Sequence, residues 1–142
     1  MSKNSVLRGI EQHRAITAYR YVKEAIEELG GNKNNNSRRY KSYAKKIPAL
    51  IKTNGISATY AFINSKRSKT NPDAYALIYN QTGEWLQECY GDTFFKEKDL
   101  LECLINLPSV EYRTITMEIL SLFSWLRRFA EGLIEGEAED EN

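Results

Sequence analysis

Apolar residues recur at intervals of three and four along most of the chain, which is the spacing of one buried helix face. The clearest repeat lies near the C-terminus and contains Tyr112, Ile115, Ile119, Leu122, Leu126, Phe129 and Leu133. A second repeat, from about Ser5 to Leu29, contains Ala15, Ala18, Val22, Ala25 and Leu29. No segment shows the period-two alternation of a strand as clearly as these two segments show the helical repeat. The pattern predicts an all-α protein, a single small bundle of about five to six helices over residues 1–142.

Glycine, proline and asparagine mark the predicted ends of these helices. Gly30-Gly31 ends the first helix, and the polar run 32–36 (NKNNN) is predicted to be a mobile loop. Pro48 either kinks the second helix, which begins near Ser37, or starts a new turn, and Gly55 ends that helix. The later predicted helices follow at 58–66, from Asn71-Pro72 to Tyr90, at 94–106, and from a Ser109 cap onward.

Two opposite faces are predicted for the helix that begins near Ser37. Its apolar face contains Tyr40, Tyr43, Ala44, Ile47, Leu50 and Ile51. At about 100° per residue, four cations fall within a sector of roughly 60° on the other side. These four are Arg38, Lys41, Lys45 and Lys52. A row of cations along a helix can follow the phosphates of a nucleic-acid strand, but an ordinary solvated face is the commoner reason for such a row.

Charge is distributed unevenly although the net charge is only +1. Residues 1–70 contain 15 Lys and Arg against 4 Asp and Glu, whereas residues 71–142 contain 5 against 15. This polarity is typical of a protein with an anionic partner, and it would also allow copies to stack head to tail. Alternatively, the two halves attract each other within one fold. The acidic segment 135–142 is predicted to be a disordered tail.

Residues that carry chemistry are sparse. His13 is the only histidine and has no cluster of cysteines or carboxylates around it in sequence, so we expect neither a metal nor a cofactor. Cys89 and Cys103 are expected to be reduced core thiols of a cytoplasmic protein with no membrane segment. No phosphate-binding loop or nucleophile motif occurs. The carboxylates Glu97, Asp99 and Glu102 share a predicted helix, and we do not expect an enzyme.

Tyrosines are frequent near the cationic segment and include Tyr19, Tyr21, Tyr40, Tyr43 and Tyr60. Aromatic rings beside Lys and Arg can stack on the bases of a single strand. On helices with this periodicity they are more often residues at the edge of the core.

Three motifs resemble those of a known family. The segment Tyr43–Phe62, YAKKIPALIKTNGISATYAF, resembles its KLPALIxxNGLxxAxAF signature, and Glu111–Gly132, EYRTITMEILSLFSWLRRFAEG, resembles its EYRxLTxEALxLLxWLKRFAE signature. The first helix fits the family's RAxxAYxxV start. The family is the small subunit of the type III-B CRISPR effector, the Cmr complex. The chain departs from the signatures in the NKNNN insert and at Ile56 and Thr59.

The resemblance implies an all-α subunit without nuclease activity that stacks into a short filament beside the backbone subunits. Its partners would be the other Cmr subunits, the CRISPR RNA and the target RNA, in antiviral defence. The resemblance carries over the cations Arg14, Lys45, Lys46, Lys52, Arg127 and Arg128, together with Asn54 and Gly55. The charge pattern alone adds Arg38, Lys41, Lys66 and Arg67 as nucleic-acid-binding candidates. A structural spacer without RNA contact and a small helical nuclease remain as alternatives.

Overall fold

The computed structural model describes residues 3–96 and 98–139, and within them every regular element is a helix. Six helices follow one another: α1 Lys3–Glu28, α2 Asn35–Lys66, α3 Ala74–Tyr90, α4 Asp92–Phe95, α5 Leu100–Ile105 and α6 Ser109–Leu133. α6 packs against both α1 and α2, and α2 also packs against α3 and α5. The predicted all-α bundle is confirmed. None of the described helices combines the length and apolarity needed to cross a bilayer.

The core is built from the apolar repeats found in the sequence. Ile115, Ile119, Leu122 and Leu126 of α6 are buried, as the repeat predicts. From α1, the residues Ala18, Val22 and Ala25 are fully buried, and α1 packs mainly against α6. Cys103 is buried as expected, but Cys89 is exposed, so the prediction of a core thiol there is wrong. Cys89 lies in the last turn of α3, one turn beyond the buried residues Trp85 and Leu86.

Three tyrosines considered as possible base-stacking residues are part of this core. Tyr21, Tyr40 and Tyr60 are fully buried. The Tyr40 hydroxyl donates to Gln81 Oε1 at 2.6 Å, and the Tyr60 hydroxyl lies 2.7 Å from Thr82 Oγ1. A buried hydroxyl that has a partner costs far less free energy than an unpaired one. Tyr40 and Tyr60 therefore join α2 to α3 through hydrogen bonds that are sealed from water.

The interruption of the second helix is confirmed at Gly55 but not at Pro48. Pro48 lies inside α2 without ending it, and the backbone leaves the helical region only at Gly55, where φ is 86°. α2 therefore consists of two helical segments that meet at a kink at Gly55, and the second segment corresponds to the helix predicted at 58–66. Proline lacks only one backbone donor, whereas a φ of this sign is open mainly to glycine.

Other boundaries also shift by a few residues. The single helix predicted at 94–106 is two short helices, α4 and α5, separated by residues that include Lys96, whose φ is positive. Asp73, rather than Asn71, caps α3 by accepting a bond from Ala76 N, and Pro108 occupies the cap position of α6 in place of Ser109. α1 begins before the predicted Ser5 cap, at Lys3. The mobility predicted for 32–36 stays a prediction.

Candidate nucleic-acid interface

The first two cations of the predicted row on α2 contact the C-terminal segment. Lys41 is only 6% exposed, and its Nζ donates to the carbonyl oxygens of Ile134, at 3.3 Å, and Gly136, at 2.5 Å. The Nε of Arg38 donates to the carbonyl of Glu135 at 2.8 Å. These carbonyls follow the last turn of α6, where unpaired oxygens attract cations. Lys41 is therefore not on an open cationic face, whereas Arg38 is half-buried and bonded to the same segment. The RNA contacts predicted for these two residues stay predictions.

The acidic segment itself has defined contacts over residues 135–139. The Glu135 amide donates to the carbonyl of Asn32 at 3.0 Å, and the Glu139 amide donates to Asn35 Oδ1 at 2.8 Å. Ile134, just before it, is buried. The segment thus lies over the α1–α2 connection and the first turn of α2. Its disorder in solution stays a prediction, and its last residues, 140–142, lie outside the described part of the chain.

The second half of the cationic row lies in an open groove between α2 and α6. Lys45, Arg127 and Arg128 line a depression of about 470 Å³. Lys52 lines an adjoining depression of about 280 Å³, which shares both arginines with the first. We call this surface, defined by Lys45, Lys52, Arg127 and Arg128, the α2–α6 groove. All four side chains are exposed, so they keep their solvation and can meet an anion from outside.

Simple helix geometry explains why these four cations converge. Lys45 and Lys52 are seven residues apart, so they lie two turns apart on the same side of α2, about 10 Å along its axis. The α6 arginines follow Leu126, a buried residue that fixes the rotation of that helix against the core. Glu131 is the groove's acidic member, four residues after Arg127. Glu131 was not among the residues predicted for this site, although its spacing from Arg127 and Arg128 is that of helical neighbours.

Arg14 has a different environment. Its Nε and Nη2 donate to the two carboxylate oxygens of Glu118 at 2.9 and 3.0 Å, and Glu118 also accepts from Trp85 Nε1 at 3.1 Å. The Arg14 and Glu118 side chains are 21% and 13% exposed. The hydrogen bond to Glu118 raises the pKa of Arg14. This pair joins α1 to α6, and it is separate from the α2–α6 groove.

The last three candidate cations lie elsewhere on the surface. Lys46 is exposed on α2, about 100° around the helix from Lys45. At the end of α2, Lys66 Nζ lies 5.9 Å from the ring centroid of Phe62. The Arg67 guanidinium lies 4.1 Å from the ring centroid of Tyr79, and its Nε donates to Asn64 at 2.7 Å. Stacked and bonded in this way, Arg67 is held against the fold.

The described part of the chain holds no cluster of three residues suited to a metal ion. His13 Nε2 lies 2.8 Å from Glu88 on an exposed surface. Of the three carboxylates on the predicted helix, Asp99 accepts the hydroxyl of Tyr79, Glu102 is exposed, and Glu97 lies outside the described residues.

Comparison with known proteins identifies the family. The family model described as CRISPR-associated protein (Cas_Cmr5) matches residues 10–133. The chain belongs to the Cmr5 family. A curated relative from Thermus thermophilus, "CRISPR system Cmr subunit Cmr5", is 29% identical over 129 residues, which cover 91% of this chain and 99% of the relative. The family resemblance read from the sequence motifs is thereby confirmed.

A solved Cmr5 family structure supports the same assignment. The crystal structure of a CRISPR-associated Cmr5 family protein, also from Thermus thermophilus, is similar to this chain, with a TM-score of 0.67 and 29% identity. The similarity covers 88% of this chain and 97% of the other. The helical fold described above is therefore shared with a Cmr5 protein along nearly its full length.

Gly55 of the Cmr5 signature has a structural role in this chain. A Cβ at Gly55 would lie 2.6 Å from the Tyr112 hydroxyl, and that hydroxyl accepts a bond from the Ser57 amide at 3.4 Å. Tyr112 belongs to the start of α6, so the bend in α2 is packed against the other signature segment. Gly55 is needed both for its positive φ and for this close approach.

Proposed function

We propose that this Cmr5-family chain is a non-catalytic small subunit of a type III-B CRISPR effector complex and that it binds the sugar–phosphate backbone of RNA in the α2–α6 groove. The observation that carries the proposal is the convergence of four exposed cations from two helices on one surface. The proposed partners are the other Cmr subunits, including further copies of this one in a filament, with the guide and target RNA. A cytoplasmic location remains a prediction.

The chemistry of the groove suits phosphates better than bases. Arginine and lysine bind phosphate oxygens through charge-assisted hydrogen bonds, and such contacts set affinity and register without reading sequence. Base identity would then come from pairing between guide and target. Glu131 lowers the local positive potential and would keep the RNA affinity of one copy moderate. A moderate affinity suits a subunit that acts as one of several copies.

Of the ten candidate residues, the proposal retains four as phosphate ligands. Lys46, Lys66 and Arg67 stay candidates for contacts in the assembled complex but lie outside the groove. Arg14, Arg38 and Lys41 are assigned structural roles because each is engaged by acceptors of its own chain.

A purely structural spacer is the second candidate, and exposed apolar residues favour it. Ile105, Val110 and Met117 are 59%, 73% and 64% exposed on α5 and α6. Apolar side chains this open are common at protein–protein contacts. In this alternative the groove cations would bind a neighbouring subunit and no RNA.

The test compares two fourfold alanine variants in the reconstituted complex. One removes the groove cations, Lys45, Lys52, Arg127 and Arg128. The matched control removes the same charge at exposed positions elsewhere, Lys23, Lys69, Lys98 and Arg113. RNA affinity is measured by fluorescence anisotropy across a series of salt concentrations. Each lost phosphate contact should lower the slope of log K against log[salt] by about 0.7, so the groove variant should lose up to about 3.

Three outcomes separate the candidates. A lower slope for the groove variant alone supports phosphate binding there. Equal slopes for wild type and both variants, together with weaker incorporation of the groove variant into the complex, would establish the spacer. Cleavage of RNA by the purified chain with Mg²⁺ or Mn²⁺ would refute the non-catalytic assignment.

A further inference from the structure

Tyr19 is the most solvent-exposed of the nine tyrosines, at 44%. Its ring meets Phe129 of α6 edge-on at a centroid distance of 5.4 Å. Phe129 in turn stacks on Trp125, with centroids 5.8 Å apart and an interplanar angle of 23°. Phe129 and Trp125 are half-buried. We call these three rings, which lie where α1 and α6 meet, the aromatic ledge.

The ledge is continuous with the α2–α6 groove through one residue. Arg128 lines the groove, and its guanidinium carbon lies 5.6 Å from the ring centroid of Trp125. Arg128 therefore brings a cation of the groove next to one ring of the ledge. Stacked rings next to a cationic groove are how proteins hold single strands without reading their sequence.

We propose that the aromatic ledge stacks against an unpaired base of the RNA strand whose phosphates occupy the α2–α6 groove, with the exposed ring of Tyr19 as the contacting surface. This inference rests on the proposed phosphate binding and narrows its ligand to a single-stranded segment. The other rings have a supporting role: Phe129 holds the edge of Tyr19, and Trp125 lies between Phe129 and Arg128. A protein partner could also cover an exposed tyrosine, but the adjoining cations favour a polyanion with planar groups.

The test uses full-length chain and two labelled strands, oligoadenylate and a ribose–phosphate strand of equal length without bases. Wild type should bind oligoadenylate about fivefold or more tightly than the abasic strand, because stacking stabilises binding by at least about that factor per base. Tyr19→Leu keeps an apolar side chain but removes the ring, and it should bind the two strands equally. Tyr19→Phe keeps the ring and should retain the preference. Tyr90→Leu removes another exposed tyrosine, on α3, and is the matched control.

Every other result counts against the ledge. If Tyr19→Leu keeps the preference for oligoadenylate, or weakens both strands equally, the stacking proposal is refuted. If Tyr19→Leu alters only incorporation into the Cmr complex, the face binds protein and the proposal is also refuted. If phosphate binding in the α2–α6 groove is the proposal that fails, the result is different, because wild type and the groove variant would then bind the abasic strand equally. Photocrosslinking of a halogenated uridine strand gives a second readout, with an adduct expected at Tyr19.

Discussion

Replacement of Arg14 by Met should destabilise the fold and leave the proposed binding of RNA in the groove unchanged. The substitution removes both hydrogen bonds to Glu118 but preserves the length of the aliphatic side chain. Among the described residues, Glu118 would then keep the indole N–H of Trp85 as its one donor, at a position where its side chain is 13% exposed. Family resemblance had placed Arg14 among the RNA ligands, so this variant separates a structural role from a binding one.

The expected cost lies between two limits. An ion pair in open solvent contributes roughly 0–1 kcal/mol, whereas removing one partner of a fully buried pair costs roughly 3–5 kcal/mol. With side chains 21% and 13% exposed, the Arg14–Glu118 pair is mostly but not fully buried. We therefore expect Arg14→Met to cost about 2–3 kcal/mol. For a chain of this size that corresponds to a fall in Tm of about 5–10 °C.

A double-mutant cycle provides the assay. Arg14→Met, Glu118→Gln and the double variant are unfolded thermally and in urea, followed by helical circular dichroism. A coupling free energy of about 2 kcal/mol is expected, since each single change breaks the same bidentate contact. Arg113→Met, an exposed arginine of α6, is the control and should change stability by less than about 0.5 kcal/mol. The reasoning is refuted if Arg14→Met leaves Tm unchanged, or if it lowers the salt slope of RNA binding as the groove variant does.

Three further predictions follow from other parts of the fold. Lys41→Met removes the donor to the carbonyls after α6 and should cost about 2 kcal/mol in urea unfolding; a loss of RNA affinity with unchanged stability would contradict its structural assignment. Gly55→Ala should lower the free energy of unfolding by about 2–3 kcal/mol, because φ is positive and the added Cβ would clash with the Tyr112 hydroxyl. Gly83→Ala is the control: it lies inside α3 with open space around it, so the change should raise Tm slightly. Burial, reinforced by the bond to Asp99, raises the pKa of Tyr79 to about 12. Because the folded state then holds that proton more tightly than the unfolded state, whose tyrosine pKa is about 10, stability should fall as pH rises above about 10; tyrosinate absorbance that rises well before helical structure is lost, with all nine rings titrating, would contradict this.

The helices were predictable because the local spacing of apolar residues shows which face of each helix is buried. The repeat from Tyr112 to Leu133 needed no knowledge of the rest of the chain, and α6 matches it closely. The helix end at Gly55 was predictable from the glycine itself, and the backbone does leave the helical region there. Pro48 stays inside the helix, because a single sequence cannot show that packing will carry a helix past a proline. Nor could the sequence show that Tyr112, fifty-seven residues beyond Gly55, packs against the break.

The cationic row on α2 shows more clearly what could not be predicted from the sequence. A helical wheel correctly placed Arg38, Lys41, Lys45 and Lys52 away from the apolar face, but it could not show what would lie over that side. The segment 134–139 covers the first two, and it is about ninety-five residues away from them in sequence. The α6 arginines, almost as distant in sequence, join the last two. The wheel therefore gave the rotation of each cation about its helix, while tertiary contacts decided which cations remain open.

Tertiary contacts also explain part of the charge asymmetry between the two halves of the chain. Head-to-tail stacking, an anionic partner and attraction within one fold were all compatible with the counts. Among the described residues, Arg14 with Glu118, Lys41 with Glu137 and Lys33 with Glu135 pair a cation of the first half with an acid of the second. Intramolecular attraction thus accounts for part of the polarity. The α2–α6 groove does not follow this pattern. There Arg127 and Arg128, two cations of the second half, lie beside Lys45 and Lys52 of the first half. A cationic surface of this kind attracts anionic strands, as the proposed function requires.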